Sequence, residues 1–291
     1  MADCDDASPS TLDLVTTNPW AELRTFTQAR LAQGRAGISL PTSEHLRFQL
    51  DHARAIDAVH QPLDLPALLA DLERIRMTVA GITGEPITVS SRAKDRFAYL
   101  QRPDLGRQLS EPALADLYEA RSSIASNIDL LIVLADGLSP RAVQEHAPPF
   151  LESLLKHLVS EVGSLQLGPL ILATQARVAI GDDIGASLDA KLVLVLIGER
   201  PGLSAADSLG AYLSWAPRRG NVDSMRNCIS NIRPEGLNYA AASAKACYLI
   251  REAFRLQLTG VELKDRVDEG RVSLNSDTGS SKFSLAGRGK P

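Results

Sequence analysis

The sequence predicts an α/β protein: a doubly wound, mostly parallel sheet preceded by a helical N-terminal subdomain. Three observations carry this. Short apolar runs rich in branched residues recur at 130–135, 170–173 and 192–197. Runs of that length bounded by turn residues fit strands buried on both faces. Amphipathic helical patterns alternate with these runs from about residue 110, the signature of strand–helix–strand units. Residues 18–109, by contrast, read mainly as helices.

In chain order, residues 1–17 are acidic and Ser/Thr-rich and read as a disordered lead-in. Asn18-Pro19 looks like a helix start, with Asn18 as cap, Pro19 at the first helical position, Trp20, Leu23 and Phe26 at helical spacing and Gly34 as the stop. Thr42 or Ser43 caps a second helix with a narrow stripe of Leu46, Leu50, Ala53 and Ile56. Between them, residues 33–38 form a glycine-rich basic segment, either a plain connector or a contact to a partner. A third helix runs over about 66–79 with Leu69, Leu72, Ile75 and Val79 on one side. Ile87 to Ser90 reads as an edge strand, and Arg102 and Arg107 flank a Pro-Asp turn.

Residues 110–263 read as the sheet domain. Ser110 and Pro112 open a helix carrying Leu114 and Leu117. The strand 130–135 ends in Asp136-Gly137-Leu138-Ser139-Pro140, a turn that opens a helix; Phe150, Leu154, Leu155 and Leu158 form the face of a further one. After the strand 170–173, Asp182 or Asp183 caps a short helix. Tyr212 to Trp215 reads as one more strand, and a long helix spans about 238–258. Residues 264–291 return to Gly, Ser and charge and read as a flexible tail.

The 192–197 run, six apolar residues of which three are β-branched, stops at Gly198. Glu199 and Arg200 follow, held between Gly198 and Pro201-Gly202. In open α/β sheets ligands bind beyond the carboxyl ends of strands. This loop is therefore the best site candidate in the pattern, the alternative being an ordinary surface turn.

Composition narrows the function classes. The 291 residues are 44% hydrophobic and 23% charged, with net charge −4 and a sequence pI of about 5.8. That is an ordinary globular balance, with no general basic surface for nucleic acid. No apolar run approaches the roughly 18 residues of a membrane helix, and residues 1–17 lack the basic-then-apolar pattern of a signal peptide. The three cysteines, Cys4, Cys228 and Cys247, are odd in number and widely separated, which suits a reducing, cytoplasmic setting.

Familiar catalytic motifs are missing. There is no phosphate-binding G-x-x-x-x-G-K-[ST] loop and no G-x-G-x-x-G after a strand. The histidines lack metal-ligand spacing, and no G-x-S-x-G elbow presents a nucleophile. Cys228 reads as a small structural hydrophobe or a reactive thiol. Neither a catalytic set nor a metal site emerges from the residues.

Taken together, several stretches resemble the small (light) subunit of adenosylcobalamin-dependent ethanolamine ammonia-lyase. They are Asn18-Pro19 with Glu22-Leu23-Arg24, Gly34-Arg35-Ala36-Gly37, Leu46-Arg47-Phe48, Tyr99-Leu100 with Arg102-Pro103-Asp104-Leu105-Gly106-Arg107, Asp136-Gly137-Leu138-Ser139, Gly198-Glu199-Arg200-Pro201-Gly202-Leu203 and Cys228-Ile229-Ser230-Asn231-Ile232. They span about 18–260 in consistent order. The resemblance implies conversion of ethanolamine to acetaldehyde and ammonia by radical chemistry begun by cobalt–carbon homolysis. It implies a (β/α)8-barrel large subunit as partner and a small subunit with a helical N-terminal part and a Rossmann-like part that closes over the cobalamin. The family's cofactor contacts carry over to Val178, Glu199 and Cys228. It also implies a cytoplasmic setting, in related systems often inside a bacterial microcompartment. The Asp-x-His-x-x-Gly signature for replacing the nucleotide base is absent, so the cofactor is expected with its own base on cobalt. Arg102 and Arg107 are further candidates for inter-subunit or cofactor contacts. A free-standing Rossmann-like small-molecule enzyme and a cofactor-free interaction protein are the alternatives.

Overall fold

A computed structural model of the chain describes residues 14–79, 81–124, 127–162 and 165–265. The lead-in read over 1–17 and the tail read over 264–291 lie outside the described residues, except for 14–17, 264 and 265. One six-stranded sheet organises the molecule, in the order β1-β3-β2-β4-β5-β6, with β1 Ile87–Ser90, β2 Leu130–Ala135, β3 Ile171–Thr174, β4 Leu192–Gly198, β5 Leu209–Trp215 and β6 Arg226–Ile232.

The first four strands in that order are parallel, whereas β4–β5 and β5–β6 are antiparallel. The sheet is therefore mixed and, with three of its five pairings parallel, mostly parallel as the sequence predicts. The cause of the antiparallel pairings is connection length: residues 199–208 and 216–225 carry no α-helix, and a parallel return needs a crossover of about a dozen residues or more.

Among the described residues seven α-helices frame the sheet: α1 Thr42–His60, α2 Leu65–Thr78, α3 Arg96–Gln101, α4 Glu111–Arg121, α5 Pro140–Glu161, α6 Ile180–Leu188 and α7 Tyr239–Leu256. Side-chain alternation divides the core in two. Leu192, Leu194 and Leu196 of β4 face α2, α5 and α7, while Val193, Val195 and Ile197 face α4 and α6. Helix α6 lies close on β4 because Gly181 and Gly185 have no Cβ; one added there would overlap Val195 and, at Gly185, Val193 and Pro217. Strand β1 and helix α2, although in the N-terminal half, belong to this same sheet and core, with Leu68, Leu72 and Ile75 fully buried.

Several local expectations give way to tertiary context. The segment after Asn18 is a 3-10 turn, Pro19–Thr25, rather than a longer helix. Thr25 bonds back to Glu22 O and Thr27 accepts from Ala29 N, local bonds that compete with helix propagation. Gly34, read as the stop of that helix, takes φ +74 beside the two-way Thr16–Arg35 backbone pairing. Helix α5 runs unbroken through Pro148 and Pro149, where two helices were expected. Each proline removes an internal bond, but Ala147, Phe150, Leu151 and Leu154 beside them are fully buried, and that packing holds the turn. Asp182 and Asp183 sit in the first turn of α6 rather than capping it. Among the described residues, no helix is long and apolar enough to cross a membrane.

Candidate functional site

The carboxyl ends of β2, β3 and β4 meet around Asp136. This carboxylate is buried and accepts from the amides of Gly137 at 2.9 Å, Ala176 at 2.9 Å and Gln175 at 2.8 Å. Burial pushes its carboxyl above the usual range, against the pull of those amides and of Arg96. The three bonds fix the start of the loop after β3, which carries Val178. Gln175 itself takes φ +51, a left-handed conformation that the Asp136 bond to its amide supports.

The loops after β2 and β4 interlock. Gly137 has φ +61, and a Cβ there would overlap Gly198 O; a Cβ on Gly198 would overlap Ser139 O. Leu138 N donates to Gly198 O at 2.9 Å and Ser139 Oγ to Ala206 O at 2.8 Å. The Asp136-Gly137-Leu138-Ser139 and Gly198-Glu199 stretches thus form one clamp, and it sets where the Glu199 side chain begins.

Glu199 is half-buried. Its Oε2 accepts from Ser208 Oγ and, at 3.3 Å, from Asn231 N. Gly210 leaves room for this side chain: a Cβ there would come within 2.8 Å of Glu199 Oε1 and 3.0 Å of Tyr212 Cε2. Tyr212 pairs in register with Cys228 of β6, so the two side chains share one face of the sheet. Burial, opposed by Tyr212 and reinforced by the Glu199 charge, raises the thiol above its ordinary 9.0. It is therefore protonated at neutral pH, a packing group. Cys228 is nevertheless solvent-exposed.

Val178 lies just before α6, half-buried on the same core face as Tyr212. Gly181 of α6 sits over Val193 and Val195, and Asp182 reaches Arg226 of β6 at 2.6 Å. Val178, one turn earlier, packs on the cluster that holds Val195, as does Tyr212, and Tyr212 pairs with both Val195 and Cys228. Val178, Glu199 and Cys228 come from three separate segments onto one side of the sheet. Among the described residues the helices packed on that side are α4 and α6, and the strip of β5 and β6 bearing half-buried Tyr212 and exposed Cys228 forms an open ledge. Tyr212, Ser208, Asn231 and Asp136 border this ledge; Asp136 and Asn231 stood within the stretches that carry the resemblance but without a role, and Tyr212 and Ser208 were not site candidates. Asp136, closing an apolar strand before glycine, carried the one readable signal.

Other candidates fall away from the ledge. Arg102 pairs with Asp104 at 2.8 Å on an exposed turn. Gly106 of the same motif packs against Arg177 and Tyr99. Glu145, His146 and Asp207 offer donor atoms close together, but His146 already meets Tyr239 Oη at 2.9 Å and Asp207 at 3.3 Å, and Asp207 binds Arg233 at 3.1 Å. That cluster is a structural network. A cavity of about 780 Å³ on the other side of the 199–208 loop is lined by charged groups including Arg47, Arg141, Asp51 and Arg233.

Comparison with known proteins places the chain in a family. Residues 17–264 match the family model "Ethanolamine ammonia-lyase light chain (EutC)". The chain is 50% identical over 280 residues to the ethanolamine ammonia-lyase small subunit of Azotobacter vinelandii, covering 96% of this chain and 98% of that one. It is 52% identical over 262 residues to the same-named protein of Xanthomonas campestris pv. campestris, covering 90% and 92%. For the Pseudomonas aeruginosa small subunit the identity is 50% over 256 residues, covering 88% and 90%. The chain belongs to the ethanolamine ammonia-lyase light-chain family.

Proposed function

We propose that this chain is the small subunit of an adenosylcobalamin-dependent ethanolamine ammonia-lyase, and that its ledge holds one side of the cobalamin against a large catalytic subunit. The observation that carries this reading is the convergence of Val178, Glu199 and Cys228 on one open side of the sheet. The donor set suits a corrinoid, whose rim is apolar and studded with amides. Among the described residues Glu199 Oε1 has no hydrogen-bond donor of its own, and Gly210 leaves room for it. Val178 and the Cys228 face offer apolar packing. The exposure of Cys228 agrees with a shared site, because a cofactor of this size on an open strip needs a second wall, here supplied by the partner.

Each residue has a task of its own. Glu199 accepts a hydrogen bond from a cofactor amide or ribose. Cys228 packs with its proton in place, and Val178 excludes water from the ring edge. Asp136 and the Gly137–Gly198 clamp hold these groups in position without touching the cofactor. Bound adenosylcobalamin supplies the radical initiation, and the barrel subunit houses the deamination of ethanolamine to acetaldehyde and ammonia. The small chain alone is inactive on this reading. Its sheet domain is Rossmann-like in role, and the complex works in the cytoplasm, in some hosts inside a microcompartment.

Co-expression with the large subunit tests the reading. Bound cobalamin in the co-purified pair, weakened roughly 10- to 100-fold by Glu199→Ala, supports it. Ethanolamine deamination by this chain alone, or unchanged cobalamin affinity in the variant, counts against it.

A further inference from the structure

The connections leaving β2 and β3 pass to opposite faces: α5 packs on one side of the sheet and α6 on the other. A crevice opens between two such strands, and that is where open α/β sheets bind ligands. Here it holds an unusual concentration of positive charge. The guanidinium of Arg177 lies 4.3 Å from the ring centre of Tyr99, and that of Arg96 lies 4.7 Å from the same ring. The carboxylate at hand, Asp136, stands 3.9 Å from Arg96 and is already engaged by three backbone amides. Among the described residues Arg177 has no carboxylate partner; its guanidinium donates to the backbone oxygen of Tyr99 at 3.3 Å. Three buried polar atoms here have no hydrogen-bond partner: Arg177 Nε, Arg96 Nη2 and Gln175 Oε1.

The fold invests in holding Arg177 there. Its backbone amide donates to Gly106 O at 2.7 Å. A Cβ on Gly106 would come within 3.0 Å of Arg177 Cγ and 3.1 Å of Tyr99 Cδ2. The glycine of the 102–107 motif therefore seats this arginine. Arg96, meanwhile, ties the end of α1 to the Asp-Gly turn through Val59 O at 2.7 Å and Gly137 O at 2.8 Å. Two partly buried cations stand here, only Arg96 with a carboxylate, itself already engaged, and with donors left over; Arg177 is one residue before Val178. That arrangement is complementary to an anion arriving from the ledge.

We propose that Arg177, backed by Arg96, receives the phosphodiester of the cobalamin nucleotide loop. This rests on the cobalamin reading above and names the anionic group on the cofactor's periphery. A guanidinium fork matches two phosphate oxygens at once, and the position beside Val178 puts the nucleotide end of the cofactor over the β2–β3 crevice and the ring over β5 and β6.

The test uses the co-purified two-subunit complex with cobalamin and with cobinamide, a corrinoid that lacks the nucleotide loop and its phosphate. Arg177→Gln is expected to weaken cobalamin roughly 10- to 100-fold and to leave cobinamide affinity unchanged. Arg177→Lys, which keeps the charge but not the fork, falls between wild type and Arg177→Gln for cobalamin only. Equal losses for both corrinoids would mean that Arg177 merely supports the fold of the site, and no loss for cobalamin would mean that the phosphate lies elsewhere; either overturns the proposal. Failure of the wild-type complex to bind either corrinoid would instead remove the cobalamin reading itself.

Discussion

Three glycine-to-alanine variants separate two costs that the site geometry predicts. At Gly220, φ is +100 and nothing lies within 4 Å of a Cβ, so Gly220→Ala carries backbone strain alone, about 1–2 kcal/mol. Gly198 is not in the left-handed region, but a Cβ there would overlap Ser139 O, so Gly198→Ala carries crowding alone, about 1–3 kcal/mol. Gly137 has φ +61 and a Cβ that would overlap Gly198 O, with Ile197 Cγ1 at 2.6 Å. Gly137→Ala carries both, about 2–5 kcal/mol in total. At roughly 2–4 °C per kcal/mol for a domain of this size, Tm falls by about 4–20 °C for Gly137→Ala and by a few degrees for Gly220→Ala. The clamp also sets the origin of Glu199. The complex with Gly137→Ala should therefore bind cobalamin more weakly, while Gly220→Ala leaves binding unchanged. Thermal unfolding and cobalamin titration read the two effects. Equal Tm losses at Gly137 and Gly220 would refute the interlocked-loop argument.

Further outcomes follow from burial and charge. Arg226→Met leaves Asp182 buried without its cation, both side chains being 3% exposed; the loss is about 3–5 kcal/mol in denaturant unfolding, and Arg226→Met with Asp182→Leu recovers most of it. Cys228 is exposed yet its thiol is raised, so iodoacetamide modifies it slowly at neutral pH and faster as pH rises, and bound cobalamin protects it; fast modification at pH 7 would contradict the assignment. Burial pushes Asp207 up, but its bonds with His146, its own backbone and Arg233 outweigh this and hold it below its ordinary 3.8. The folded pKa lies below the unfolded one, so the stabilisation is present above about pH 4 and is lost as pH falls through the folded value. The stability gap between wild type and Asp207→Asn should therefore be flat from pH 7 to 5 and close in more acidic solution.

Legibility tracked burial. Strands β2 and β4 were readable because every residue is apolar and buried on both sides. Strand β6 was not: only Ile229 and Ile232 give it an apolar core side, and between them Asn231 takes φ +58 beside a register shift. Helix α1 was readable by spacing, yet its stripe stays uncovered, with Leu46 58%, Leu50 51% and Ile56 47% exposed. Periodicity reports that a face is apolar, not what covers it. At the site, Glu199 could be found as a charged residue trapped between glycines beyond a strand. Val178 and Cys228 came from family resemblance, because one Val in a loop and one Cys in a polar strand carry no pattern. Tyr212, Ser208 and Asn231 join them only through the antiparallel return of β5 and β6, a pairing that short connections permit but no motif announces.

The central claim is that one exposed side of this sheet forms half of a cobalamin site shared with a larger subunit. An experimental structure of the co-purified pair with cobalamin bound tests it most directly. The account predicts the corrin in van der Waals contact with Val178, Glu199 and Cys228, between the ledge and the partner. A ring enclosed wholly by the large subunit, away from all three residues, would contradict it.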